Sequence, residues 1–97
     1  MAVGVLQEVP FVTQEMYDAV NKEMGTRENP PAGLIVHTGG PMEGGGFRIF
    51  DVWESEDAWE QFRQNTLGPA IEKVSGGQAP PSPPRIEVYE LHDVIKP

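Results

Sequence analysis

The residues best suited to chemistry in this chain are its two histidines, His37 and His92, and one acid, Asp51, set inside an apolar run. An imidazole titrates near neutral pH, so His37 or His92 suits the role of general base toward a phenolic or enolic proton. The electron-rich anion left behind can react with dioxygen without a cofactor. Each histidine equally suits a half-buried interface position, hydrogen-bonded to backbone or carboxylate. Asp51 shares a strand face with Ile49 and Trp53, where a carboxylate is costly unless paired or protonated. Arg48 points to the other face and cannot pair with it within the strand. Asp51 therefore reads either as an acid/base group or as an acceptor for a neighbouring tyrosine or backbone group. Trp53, Trp59, Phe62 and Tyr89 either line a slot for a small aromatic ligand or form plain core.

Other chemistries fail on spacing. GGPMEGGG, residues 39–46, has the glycines of a phosphate loop but no lysine, carries Glu43, and leads into a strand where a helix N-terminus is required. Two histidines without HxxxH or HxxE spacing give no expectation of a metal site. Ser55 is accounted for as a helix cap and joins no recognisable Ser/His/Asp set.

Six elements must position these residues. Residues 2–9 alternate as a first strand ended by Pro10. Thr13 is a good N-cap for a helix over 14–24, with Val12 and Tyr17 placed as a hydrophobic staple and Gly25 as the left-handed stop. Met16, Val20 and Met24 give that helix an apolar face. GLIVHT, residues 33–38, is a second strand, and the glycine-rich stretch is a long hairpin connection to a third over 47–54. Ser55 caps a second helix that buries Ala58, Trp59, Phe62 and Thr66, with Glu56 and Asp57 in its first turn. Gly68-Pro69 is expected to interrupt it, because the residue before proline resists the helical region. Pro69 then opens a further turn that stops at Gly76-Gly77. Residues 75–84 read as a polyproline-like surface crossing. Residues 85–95, RIEVYELHDVI, form the last strand by strict alternation.

The order βαββαβ is the split-βαβ, ferredoxin-like unit: an α+β fold with both helices on one face of a four-stranded antiparallel sheet. Leu34, Val36, Ile49, Phe50, Val52, Trp53, Ile86, Val88 and Leu91 supply apolar residues to both sheet faces. One layer of helices cannot cover two apolar faces, so a homodimer packed sheet to sheet is expected. In one subunit His37 and His92 fall on opposite edge strands; across such a dimer they can approach each other.

Composition bounds the rest. Ninety-seven residues suit one domain, 1–97, with a thin core. Fifteen acids against seven scattered bases give a net charge of −8, which argues against nucleic acid and anionic membranes as partners. The absence of cysteine excludes disulfides and thiolate chemistry. With no basic leader and no long apolar run, a cytoplasmic protein is expected.

At DVWESEDAWEQF, residues 51–62, the chain resembles the dimeric α+β barrel superfamily and, within it, the antibiotic-biosynthesis-monooxygenase-like domains. Those domains show a strand ending in Trp-Glu-Ser that caps a helix with a run like Glu-Asp-Ala. The resemblance implies a dimeric α+β barrel, a homodimer and, as one activity of the group, oxygenation of aromatic compounds with no cofactor. A non-catalytic binding or dimerisation module on the same fold is the alternative. Haem-degrading members are similar through the same helix but carry Trp at the position of Phe62, a ligating His at that of Glu72 and an Asn near Gln7. A carboxylate there removes the iron's axial partner, so haem degradation is not expected. Many monooxygenase-like members carry a His where Phe62 stands.

Overall fold

The computed structural model describes residues 1–78 and 83–97. The chain runs β1 (Val3–Val9), α1 (Gln14–Met24), β2 (Leu34–Pro41), β3 (Phe47–Trp53), α2 (Glu56–Phe62), a π-helical turn (Arg63–Leu67), α3 (Gly68–Ser75) and β4 (Arg85–Glu90). The strands form an antiparallel sheet in the order β2-β3-β1-β4, the ferredoxin-like arrangement.

Caps set the helix starts. The Thr13 hydroxyl accepts from the Met16 N–H and the Ser55 hydroxyl from the Ala58 N–H, while Gly25 closes α1 in the left-handed region at φ 66°. Register sets the layers. Val3, Val5, Gln7 and Val9 stand opposite Trp53, Asp51, Ile49 and Phe47, so these eight side chains share the face that the helices cover. Val3, Val5, Trp53 and Trp59 make the buried cluster, with Leu34, Ala58, Phe62, Leu67 and Val88 packed around it. The alternate residues Phe50, Tyr89 and Leu91 converge around Gly4 on the other face, and Tyr89 remains 47% exposed there.

Three expectations are corrected. The helix after Ser55 is not interrupted at Gly68-Pro69. Gly68 keeps helical angles (φ −57°, ψ −52°) and its N–H reaches Arg63 O, five residues back. Proline lacks an N–H and its ring crowds the carbonyl four residues earlier, and a π turn widens the helix to accommodate both defects. The second strand does not stop at Thr38. Gly39, Gly40 and Pro41 pair with Ile49, Arg48 and Phe47, leaving a five-residue turn over 42–46 closed by Met42 N–H to Gly46 O at 2.9 Å. β2 is an edge strand, where a proline costs no ladder bond, and Gly44 to Gly46 take φ of 87°, 109° and 88°, which side chains would resist. The last strand ends at Glu90, paired with Val3, and not at residue 95. Beyond it a single bond, Leu91 N–H to Ala2 O at 2.9 Å, remains, because β1 supplies no further partner. The polyproline-like crossing expected over 75–84 falls partly outside the described residues.

Candidate active site

β2 and β3 bring His37 and Asp51 directly opposite each other, on the face toward the helices. The imidazole Nδ1 lies 2.6 Å from Asp51 Oδ1. Asp51 is 3% exposed, and its other oxygen accepts the indole N–H of Trp53 at 3.3 Å. Its partners are thus an imidazole and an indole, in place of the tyrosine or backbone group expected. On the far side of the ring, His37 Nε2 lies 2.5 Å from the hydroxyl of Tyr17, one turn into α1. Tyr17, His37, Asp51 and Trp53 form one continuous hydrogen-bonded chain from helix to sheet core.

The hydrogen-bonding roles follow from the partners. A carboxylate can only accept, so Nδ1 carries the hydrogen given to Asp51; in the tautomer with that single hydrogen, Nε2 accepts from the Tyr17 O–H. Burial pushes the Tyr17 phenol above its ordinary value, and the Asp51 charge adds to this while Asn21 and Arg27 oppose it. Tyr17 therefore stays a donor at neutral pH. Its ring stacks on Phe47 at a centroid distance of 4.7 Å and lies nearly parallel to the imidazole, 6° between planes. Asn21 Nδ2 donates to the Tyr17 carbonyl at 3.1 Å, fixing that turn of α1.

The site opens at the sheet edge, where the His37 side chain is 35% exposed. Asn21, whose amide bonds the Tyr17 carbonyl, also lines a concavity of about 440 Å³ with Asp18, Lys22, Arg27 and Glu28. Another of about 430 Å³, beside Pro69, Glu72, Lys73 and the Gly76-Gly77 stop, lies elsewhere. Neither is lined by His37 or Asp51. Of the other candidates Trp53 joins the chain through its indole N–H, and the rest do not gather here. Trp53 and Trp59 are 0% and 1% exposed. Their rings stand 6.0 Å apart, with Phe62 at 5.0 Å from Trp53 and 6.3 Å from Trp59. Tyr89 lies on the opposite sheet face. His92 follows the end of β4, at the edge opposite β2, so within one chain the two histidines stay apart. Among the described residues no group of three His, Asp or Glu is placed to hold a metal ion.

Sequence reasoning missed two residues. Tyr17 satisfied the staple pattern, which hid its polar end. Gly39 was assigned to the hairpin loop, yet a Cβ there would stand 2.5 Å from the Tyr17 hydroxyl and 2.8 Å from Cζ. Gly39 is the gap that lets the tyrosine lie across β2. Two residues on from His37 on the same strand face, it could have been flagged once the strand was extended.

Neither a protein-family model nor a curated protein matches the chain. Solved structures do. A dimeric ferredoxin-like protein of unknown function from Thermobifida fusca superposes with a TM-score of 0.66 at 12% identity, over 94% of this chain and 92% of that one. A monooxygenase from Streptomyces coelicolor, solved with nanaomycin D, gives 0.62 at 19% identity over 99% and 91%. A cofactor-independent oxygenase from Streptomyces nogalater gives 0.63 at 12% identity over 97% and 95%. At these identities the likeness is one of fold. The chain has the α+β, ferredoxin-like fold of the antibiotic-biosynthesis-monooxygenase-like proteins.

Proposed function

We propose that Tyr17, His37 and Asp51 form a proton-transfer site for a small aromatic or enolisable compound, as in a cofactor-independent oxygenase or a related proton-transfer enzyme. The observation that carries this reading is the orientation of His37, with Nδ1 facing the Asp51 carboxylate and Nε2 facing a hydroxyl; on this reading Asp51 holds the hydrogen on Nδ1 and frees the Nε2 lone pair. A substrate hydroxyl entering at the β2 edge takes the place of the Tyr17 O–H on Nε2 and gives up its proton there. Asp51, held in turn by Trp53, stabilises the imidazolium formed, and the substrate anion is then free to react with dioxygen. Within one chain His92 and Tyr89 lie away from this site. The apolar residues around Gly4 and the dimeric neighbour support sheet-to-sheet pairing.

One observation favours the alternative, a non-catalytic binding or dimerisation module: Trp53, Trp59 and Phe62 fill the space between α2 and the sheet. A thermal-shift screen against phenols, quinones and lactones, followed by aerobic turnover assays, separates the two. A ligand at about 100 times its dissociation constant stabilises the fold by ~2.7 kcal/mol. On the enzyme reading, Asp51→Asn keeps ligand binding but lowers turnover on the order of 10²–10⁴-fold, since the ring loses its fixed tautomer. Turnover unchanged in Asp51→Asn and His37→Ala removes this site from the reaction, and no turnover with any ligand that binds favours the module.

A further inference from the structure

The geometry points to Tyr17 as a redox-active residue that gives one electron to an organic radical of the peroxyl or phenoxyl class while its hydroxyl proton passes to His37. Removing an electron alone from a phenol leaves a strongly acidic radical cation, which makes the step costly. A base already hydrogen-bonded to the hydroxyl takes the proton in the same event, and no charge accumulates on the ring. Tyr17 meets that requirement, with its oxygen 2.5 Å from His37 Nε2. The proton has somewhere to stay, because the imidazolium formed faces the Asp51 carboxylate at 2.6 Å, buried and braced by Trp53. Stacking on Phe47 keeps the phenol ring in register with the imidazole, so the proton moves along an existing bond.

The step balances. The Tyr17 O–H bond breaks, an N–H bond forms on His37 Nε2, and the electron reduces the peroxyl or phenoxyl radical to its anion. The step needs no substrate on Nε2 and so stands apart from the proton-transfer reading of the same residues. The chain holds one other tyrosine, Tyr89, 47% exposed on the opposite sheet face, which serves as the internal comparison.

The test is flash photolysis of the full chain with tris(bipyridyl)ruthenium and a cobalt(III) ammine acceptor, read by freeze-trapped electron paramagnetic resonance. The expected result at neutral pH is a tyrosyl signal retained in Tyr89→Phe and lost in Tyr17→Phe. His37→Gln should slow formation of the Tyr17 radical about tenfold, the loss of the hydrogen-bonded base, with recovery at alkaline pH once the phenol ionises. A tyrosyl signal that persists in Tyr17→Phe and disappears in Tyr89→Phe overturns the inference. So does a tryptophan radical in every variant, or an unchanged rate in His37→Gln.

Discussion

Gly39→Ala is the sharpest probe of the site, because it adds one methyl group and aims it at one hydrogen bond. Gly39 needs no special backbone conformation, so the substitution acts through space alone. The new Cβ would lie 2.5 Å from the Tyr17 hydroxyl, 2.8 Å from Cζ and 3.0 Å from Cε1, where ordinary contact begins at 3.4 Å. The ring must therefore retreat by about 1 Å, and the Tyr17–His37 bond opens beyond hydrogen-bonding range. The lost bond costs about 1 kcal/mol and the disturbed stacking on Phe47 about 0.5 kcal/mol more. A chain of this size then melts roughly 6–12 °C lower. Gly40→Ala is the control, since a Cβ there meets nothing within 4 Å. Thermal denaturation of the two variants, with nitrogen NMR of the His37 ring, measures both halves of the expectation. Equal melting temperatures, or a His37 Nε2 resonance unmoved by Gly39→Ala, would refute the placement of Tyr17.

Three further outcomes follow from the same coordinates. The Tyr17 phenol is raised by burial in the folded chain, so its contribution is complete below the ordinary value of 10.0 and is lost as pH climbs through the raised one. Tyr17→Phe should flatten the alkaline limb of the stability curve and leave its shape near neutrality unchanged. Glu8 behaves oppositely: Arg48 and Arg85 hold its carboxyl below 4.5, so that stabilisation is present above the ordinary carboxylate range and disappears as pH falls through the lowered value. Glu8→Gln should flatten the acid limb, measured by urea unfolding across pH. Trp59→Ala empties the centre of the apolar cluster and should cost about 3–5 kcal/mol, enough to leave a small domain close to unfolding by calorimetry.

Much of the framework is readable from near neighbours along the chain. Thr13, Gly25 and Ser55 mark helix ends because capping involves residues three or four apart, and alternation over β1 and β3 identifies the buried face because the strand period is local. His37 could be chosen as a candidate by residue type and Asp51 by its place in an apolar run. Their meeting could not. It depends on a pairing register, which also extends β2 through Gly39 to Pro41 and ends β4 where β1 has no residue left to offer. Tyr17 reaches Nε2 only because α1 crosses the sheet where Gly39 leaves room, a fact that involves two segments more than twenty residues apart. Local pattern determined which elements form and which face of each is apolar. Tertiary structure alone joined a helix tyrosine, an edge-strand histidine and a buried aspartate into one site, since each hydrogen bond links elements whose relative placement no local interaction sets.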